Sequence, residues 1–243
     1  MDIGKSFSFP FEDKEWLSKL GLGAVISIIP ILNFAWSGYM VEIIRNVMNN
    51  RAETLPTWDN LDKKFSDGLI LFGASVIYAL PILLAFCLPM GVMAFSGILS
   101  GNHDMQDLAR SIGEAGGVLF ACLICVFVFY GIILSIIYPA ILVIFSREGT
   151  FASCFKIREI FDLISKNAVP FFSAWALGLV AGLGVGLAIG IVNTIIGWIP
   201  CIGWIISIVL SFGSGVYISA VYAHLFGQFG ATAFGSSPLA TVA

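Results

Sequence analysis

The chain has 243 residues, of which 58% are hydrophobic and 11% are charged, and its mean hydropathy is +0.97. Soluble globular domains carry about 25% charged residues, so these side chains cannot cover a water-facing surface and a soluble fold is excluded. Disorder is excluded too, because it requires low hydrophobicity and high net charge. A net charge of −3 gives no argument for a nucleic-acid partner. The composition predicts an all-α, polytopic membrane protein in contact with the lipid bilayer.

Four long runs without Asp, Glu, Lys or Arg predict the helices. They hold 22, 36, 32 and 77 residues and cover 20–41, 68–103, 115–146 and 167–243. A membrane-spanning helix needs about 20 apolar residues, and the last run is long enough for two helices separated by a turn around Pro200. We therefore predict four transmembrane helices, at 68–100, 116–146, 168–198 and 203–228.

Lys and Arg, which concentrate on the cytoplasmic side, predict the topology. Three lie before residue 20, four in 45–67, four in 147–167, and Arg110 stands alone in an outer loop. If the first apolar run crossed once, the first two basic blocks would face opposite sides. We predict instead that 14–49 forms a short or re-entrant hairpin turning near Pro30. Both termini and 11 of the 12 basic residues are then cytoplasmic.

Two amphipathic segments, 57–67 and 150–166, are expected to lie as helices at the cytoplasmic membrane surface. The alternative, that they are caps packed on the ends of the helices, remains open. Near the N-terminus, Pro10 ahead of Glu12 and Asp13 is typical of a helix start. The whole chain, 1–243, is predicted to form a single membrane domain.

Small residues recur every four positions on the last two predicted helices. Such residues allow close helix packing in lipid, so we predict that these two antiparallel helices meet along a glycine zipper. Alternatively, the glycines line a path for a solute. The predicted packing residues are Gly178, Gly182, Gly186, Gly190, Ser207, Ser211, Gly215 and Ser219.

Charged residues are nearly absent from the predicted membrane core. Glu42 lies near a helix end, and Arg45 one turn later predicts an interfacial ion pair rather than a proton relay. The mid-membrane amides of Asn33 and Asn193 need partners, most simply the backbone or each other. They are the candidates for contact with a polar solute.

Groups that could carry catalysis or bind a metal are scarce. His103 and His224 have no second ligand at metal-binding spacing. Cys122 and Cys125 have redox spacing but lie within an apolar helix. We therefore predict no catalytic residue, no metal and no cofactor, and a protein that is not an enzyme.

Several short motifs carry a family resemblance, and they crowd into the first third of the chain. Together they resemble the prokaryotic integral membrane family catalogued as domain of unknown function 4013, from about Phe7 to about Gly230. The resemblance implies an archaeal or bacterial cell-membrane protein with several helices. Because that family has no established activity, it supplies no residue roles. The motifs are Phe9-Pro10-Phe11-x-Asp13-x-x-Trp16, Gly38-Tyr39, Leu55-Pro56-x-Trp58-Asp59, Asp67-Gly68 and Tyr78-x-x-Pro81.

Three functions fit these expectations. The first is a non-enzymatic scaffold, complex subunit or membrane-organising element with a protein partner or a second copy of itself. The second is a passive channel or carrier for an uncharged or lipidic solute. The third is a membrane enzyme acting on lipid headgroups, with Asp59, Asp62 and Asp67 as acids or metal ligands; we expect these carboxylates to form a solvated helix face instead.

Overall fold

A computed structural model describes residues 2–101 and 103–235. Within these ranges the chain forms eight α-helices and no strand, which confirms the all-α fold class. Short 3-10 turns lie at His103–Met105 and Phe151–Phe155. The helices are α1 (Ile3–Glu12), α2 (Trp16–Ile28), α3 (Asn33–Met48), α4 (Leu61–Leu99), α5 (Gln106–Glu148), α6 (Ile157–Lys166), α7 (Ala168–Ile196) and α8 (Ile202–Phe234).

Four of these helices, α4, α5, α7 and α8, are long and apolar enough to cross a membrane. Even the shortest, α7 with 29 residues, is about 44 Å long and exceeds a hydrocarbon core of about 30 Å. This confirms the prediction of four long helices. The N-terminal hairpin region adds α2, which is apolar but has only 13 residues.

The helix bounds differ from the prediction in several places. Helix α5 begins at Gln106 rather than at 116, so Arg110 lies in a helix and not in a loop, and α8 continues to Phe234 rather than ending at 228. The two predicted interfacial segments also differ. A separate helix at 57–67 is not found, because α4 begins at Leu61 and continues through Gly68 to Leu99. No proline lies between Leu61 and Gly68, so the backbone hydrogen bonds continue past the charged residues and through the Asp67-Gly68 pair. In 150–166, a 3-10 turn precedes α6 after Gly149, whose φ of 69° is a conformation that glycine adopts readily.

The expected helix start at Pro10 is wrong. Pro10 lies inside α1, near its end at Glu12, and the helix begins instead after Asp2. The Lys5 backbone N–H donates to Oδ1 of Asp2 at 3.0 Å, which is an N-terminal cap. Asp13 follows the helix and is therefore free to pair elsewhere.

The chain divides into two compact units. The first contains the described residues up to Phe72 and those from Pro139 onward. At its centre lies α8, which contacts α1, α2, α3 and α7. Its largest fully buried side chains include Phe9, Tyr39, Phe145, Phe171, Phe226 and Phe229.

The second unit, Gly73–Tyr138, is an antiparallel pair formed by parts of α4 and α5. The Tyr130 hydroxyl donates to the carbonyl oxygen of Tyr78 at 2.8 Å, and the Ser96 hydroxyl donates to that of Ala109 at 2.6 Å. Although the chain divides into two units, α4 and α5 each run through both of them. The single domain 1–243 therefore stays a prediction.

Candidate functional site

Three aromatic rings close the α2–α3 hairpin against the segment that follows it. Tyr39 stacks on Trp36 and on Trp58, with ring centroids 5.0 and 4.6 Å apart. The Tyr39 hydroxyl donates to the carbonyl oxygen of Pro56 at 2.9 Å, and Nε1 of Trp58 donates to that of Lys19 at 2.9 Å. The start of α2 therefore lies beside the chain that leaves α3, so this part of the chain doubles back.

A buried ammonium group strengthens this closure. Nζ of Lys19 lies 2.6 Å from Oδ2 of Asp13 and 3.4 Å from the carbonyl oxygen of Leu55. Burial alone would raise the pKa of Asp13, but hydrogen bonds from Lys19 and from the backbone N–H of Glu15 lower it below its usual value. The ionised carboxylate thus compensates the buried cation.

Two ion pairs join α3 to α4. Nζ of Lys64 lies 2.7 Å from Oε2 of Glu42, and Nη1 of Arg45 lies 2.6 Å from Oδ2 of Asp67. The predicted pair between Glu42 and Arg45 is therefore wrong, since each has its partner on α4. Lys64 and Asp67 are buried, so these two charged side chains of α4 point inward, whereas Asp62 and Lys63 are exposed.

Two glycines allow α3 and α4 to come close enough for these pairs. A Cβ on Gly38 would overlap the carbonyl oxygen of Lys64, and a Cβ on Gly68 would overlap that of Phe34. Because the obstacles are backbone atoms, they cannot rotate away. Both glycines belong to the motifs quoted for the family resemblance, and this contact gives those motifs a structural role that the sequence did not reveal.

A polar cavity of about 650 Å³ lies beside these ion pairs, where the end of α3, the start of α4 and the end of α5 meet. Nε of Arg45 donates to the carbonyl oxygen of Ser146 at 2.8 Å and so ties α3 to α5. Three carboxylates line the cavity, and each has a cationic partner: Glu42 with Lys64, Asp67 with Arg45, and Glu148 with Lys156. This site was not predicted from the sequence, although basic residues occur at both 45–67 and 147–167.

A second polar group lies buried between α1 and α8. Nδ1 of His224 is 3.0 Å from the Ser6 hydroxyl and 3.2 Å from Nε2 of Gln228, and the imidazole stacks on Phe9 at 4.3 Å. The backbone N–H of Asp2 donates to Oε1 of Gln228 at 2.7 Å. The start of α1 and the last turns of α8 therefore lie together.

The small-residue stripe of α7 packs against α8 at one level and is separated from it at another, so the glycine zipper stays a prediction. A Cβ on Gly178 would meet the ring of Tyr222, whereas Gly186 and Gly190 have open space around them. A cleft of about 350 Å³ lies between the helices at the level of these open glycines. Its lining includes Gly182, Gly186, Gly190, Ser211 and Gly215.

Two small residues of α8, Ser219 and Gly227, contact α3. Nε1 of Trp36 donates to the Ser219 hydroxyl at 3.0 Å, and a Cβ on Gly227 would overlap the side chain of Val47. Ser207, nearer the start of α8, has a buried hydroxyl with no hydrogen-bond partner among the described residues. The small residues of α8 thus lie against α3 as well as along the side of α8 that faces α7.

Of the two candidate amides, one faces the cleft and the other does not. Nδ2 of Asn193 donates to the Ser211 hydroxyl at 2.9 Å, and its Oδ1 is buried with no partner in the described part of the chain. Asn33 begins α3 at the exposed tip of the hairpin and is not part of the cleft lining.

Within residues 2–101 and 103–235, no three His, Cys, Asp or Glu side chains form a group that could hold a metal ion. Asp67, one of the three carboxylates considered for headgroup chemistry, is paired with Arg45. Asp59 and Asp62 are exposed. Cys122 and Cys125 are exposed on the apolar surface of α5.

The four long apolar helices indicate a multi-pass, all-α membrane protein. The chain belongs to the family described as "Protein of unknown function (DUF4013)", whose model matches residues 22–194, more than half of the sequence. This match confirms the family resemblance, although the motif at 9–16 and the residues after 194 lie outside it. No curated protein and no solved structure matches the chain.

Proposed function

We propose that this chain is a non-enzymatic integral membrane protein that acts as a subunit or scaffold of a larger membrane assembly. One observation carries the proposal: the membrane-spanning helices bury very little of themselves within the chain. The most apolar 18-residue stretches of α4, α5, α7 and α8 bury 11, 0, 0 and 17% of their residues. Their faces are therefore available to a second copy of the chain or to another membrane protein.

Glycines on these exposed faces support assembly rather than contact with lipid alone. Gly117 and Gly131 on α5 and Gly184 on α7 have no atoms near the position that a Cβ would occupy. Helix interfaces in membranes are enriched in small residues because these let two backbones approach closely. A glycine facing only lipid gains nothing from its small size and lowers helix propensity by about 1 kcal/mol relative to alanine.

The proposal includes a prokaryotic cell membrane and two cytoplasmic termini. Direct contacts between the three large basic blocks support this orientation. Lys19 contacts Leu55, and Arg45 contacts Ser146, so the blocks before residue 20, at 45–67 and around 147 meet at one end. Basic residues of membrane proteins concentrate on the cytoplasmic side.

Cross-linking in native membranes tests the assembly. Gly117→Cys and Gly184→Cys, each made in a variant lacking the five native cysteines, are treated with a bifunctional maleimide. We expect a product heavier than one chain from at least one of these positions. Gly21→Cys on α2, where a side chain also has open space, is the matched control for unspecific capture. Monomer alone from both test positions, or equal capture at Gly21→Cys, contradicts the proposal.

A carrier for an uncharged or lipidic solute is the second candidate, and the α7–α8 cleft favours it. The cleft of about 350 Å³ could admit an acyl chain, and Oδ1 of Asn193 offers a hydrogen-bond acceptor without a partner in the described chain. Gly186→Leu would fill the cleft without meeting protein atoms at its Cβ. If the cleft holds a lipid, this variant loses it in native mass spectrometry, whereas Gly184→Leu on the outer face retains it. Identical lipid retention in both variants argues against a carrier.

A further inference from the structure

The polar cavity at the ends of α3, α4 and α5 has three basic side chains without a carboxylate partner among the described residues. All three of its carboxylates are already paired, as given above. Arg51 and Lys63 are exposed and form no ion pair, and Arg147 lies over the ring of Phe234 at 4.4 Å from its centroid. The five cations and three anions of the lining leave it with a net charge of +2.

A buried hydroxyl in the same lining also lacks a partner. Ser146 is only 1% exposed and lines the cavity, yet its Oγ has no hydrogen bond in the described structure. Serine hydroxyls within helices ordinarily bond to a carbonyl oxygen in the preceding turn, and buried polar groups are rarely left unsatisfied. The Ser146 hydroxyl is therefore a buried donor without a partner in a residue that lines the cavity.

Surplus positive charge, guanidinium donors and a free hydroxyl suit an anion with several acceptor oxygens. Phosphate fits this donor set, because guanidinium groups bind its oxygens in pairs and ammonium groups add charge. The cavity also lies where α4 begins and α5 ends, and both helices are candidate membrane spans. A lipid headgroup and a free anion could both reach such a place.

We propose that this cavity is a binding site for a phosphate-type anion, with Arg51, Lys63 and Arg147 supplying charge and the Ser146 hydroxyl supplying a buried donor. The Glu42–Lys64 and Arg45–Asp67 pairs form the wall of the site. Because Glu42 and Asp67 are already paired, they do not compete with an anion for Arg51, Lys63 and Arg147. The site is independent of the proposed assembly, because it lies among side chains of one copy.

The test uses the full chain, stripped of lipid in a neutral detergent, at constant ionic strength so that general screening does not differ between samples. One arm titrates inorganic phosphate by calorimetry. The other titrates short-chain phosphatidylglycerol against phosphatidylcholine. Arg51→Gln and Lys63→Gln are each expected to weaken binding about tenfold. Arg158→Gln on α6 removes the same charge from an exposed residue outside the cavity lining and is expected to bind like the unmodified chain.

Ser146→Ala separates binding from a structural role. Because the hydroxyl has no partner to lose, we expect the anion-free protein to melt at the same temperature or higher, while phosphate affinity falls. Binding of phosphatidylglycerol alone identifies a headgroup site, and binding of inorganic phosphate identifies a site for a free anion; either supports the proposal. It is overturned if neither binds, or if Arg158→Gln weakens binding as much as Arg51→Gln and Lys63→Gln do.

Discussion

Nη1 of Arg45 lies 2.6 Å from Oδ2 of Asp67, although Glu42 is one turn away from Arg45 on the same helix. Glu42 is bound by Lys64, so both charged residues of α3 have their partners on α4. Glu42 and Arg45 can reach partners on α4 because Gly38 and Gly68 bring the two helices into backbone contact. The ion pairs therefore report on how α3 and α4 pack, and not on α3 alone.

Breaking the Arg45–Asp67 pair should destabilise the protein more than removing both members. Asp67→Leu leaves a mostly buried guanidinium without its carboxylate, which costs on the order of 3 kcal/mol. Arg45→Met combined with Asp67→Leu should recover most of that loss. The measurement is thermal stability in detergent, followed by loss of the monodisperse size-exclusion peak.

The exposed pair of Arg110 and Glu114 is the control, since its side chains are 79 and 68% exposed. Glu114→Leu should change the melting temperature little, because exposed pairs contribute about 0–1 kcal/mol. Equal losses from Asp67→Leu and Glu114→Leu would show that the buried pair has no special role.

Gly38→Ala should destabilise the contact between α3 and α4. The added methyl group would overlap the carbonyl oxygen of Lys64, which cannot move without separating the helices. Overpacking of this kind costs about 1–3 kcal/mol. Gly21→Ala is the matched control, because it meets no atom and gains up to about 1 kcal/mol of helix propensity. A melting temperature for Gly38→Ala equal to that of Gly21→Ala would refute the close contact.

Cys154 should resist alkylation in the folded protein. It is fully buried in the 3-10 turn before α6, and burial raises the pKa of its thiol to about 11. The reactive thiolate is therefore scarce at pH 8, and the sulfur is also shielded. Mass spectrometry after N-ethylmaleimide treatment should find Cys154 unmodified until the protein is unfolded in SDS. Modification at the same rate with and without SDS would contradict its burial.

The orientation is open to labelling from outside intact cells. In a cysteine-free background, Lys5→Cys and Glu53→Cys should both remain unlabelled by a membrane-impermeant maleimide, because the hairpin returns the chain to its starting side. Asp104→Cys, between α4 and α5, should react and serves as the positive control. Reaction at only one of the first two positions would mean that the first apolar run crosses the membrane.

The sequence predicts the long helices because lipid imposes a simple requirement on them. A segment in the hydrocarbon core must be apolar and must satisfy its own backbone, so a run such as 115–146 is nearly sufficient to identify a helix. At the membrane surface, water can bond to the backbone and to polar side chains, so a segment there need not be apolar or helical. The sequence changes from polar to apolar between Asp67 and Gly68, and this change suggested that one helix ends and another begins there. The backbone instead continues through it as the single helix α4.

The candidate site was harder to predict, because it depends on contacts between residues distant in sequence. Glu42 pairs with Lys64 because α3 and α4 cross at Gly38. The residues next to Glu42 in the sequence do not indicate this partner. Ser146 appears in the sequence as one small polar residue at the end of an apolar run. Only the packed structure shows that its hydroxyl is buried beside unpaired cations. A sequence signal did exist in the two basic blocks that meet there.

The central claim, that the membrane-spanning faces are completed by other chains, is tested most directly by extracting the protein without detergent. Styrene–maleic acid discs cut from native membranes, with the chain at its natural level and carrying one fluorophore, allow the copies per disc to be counted by single-molecule photobleaching. Mass spectrometry then identifies any other protein in the discs. We predict at least two copies per disc or a stoichiometric partner. Discs that hold one copy of this chain and no other protein would contradict the account.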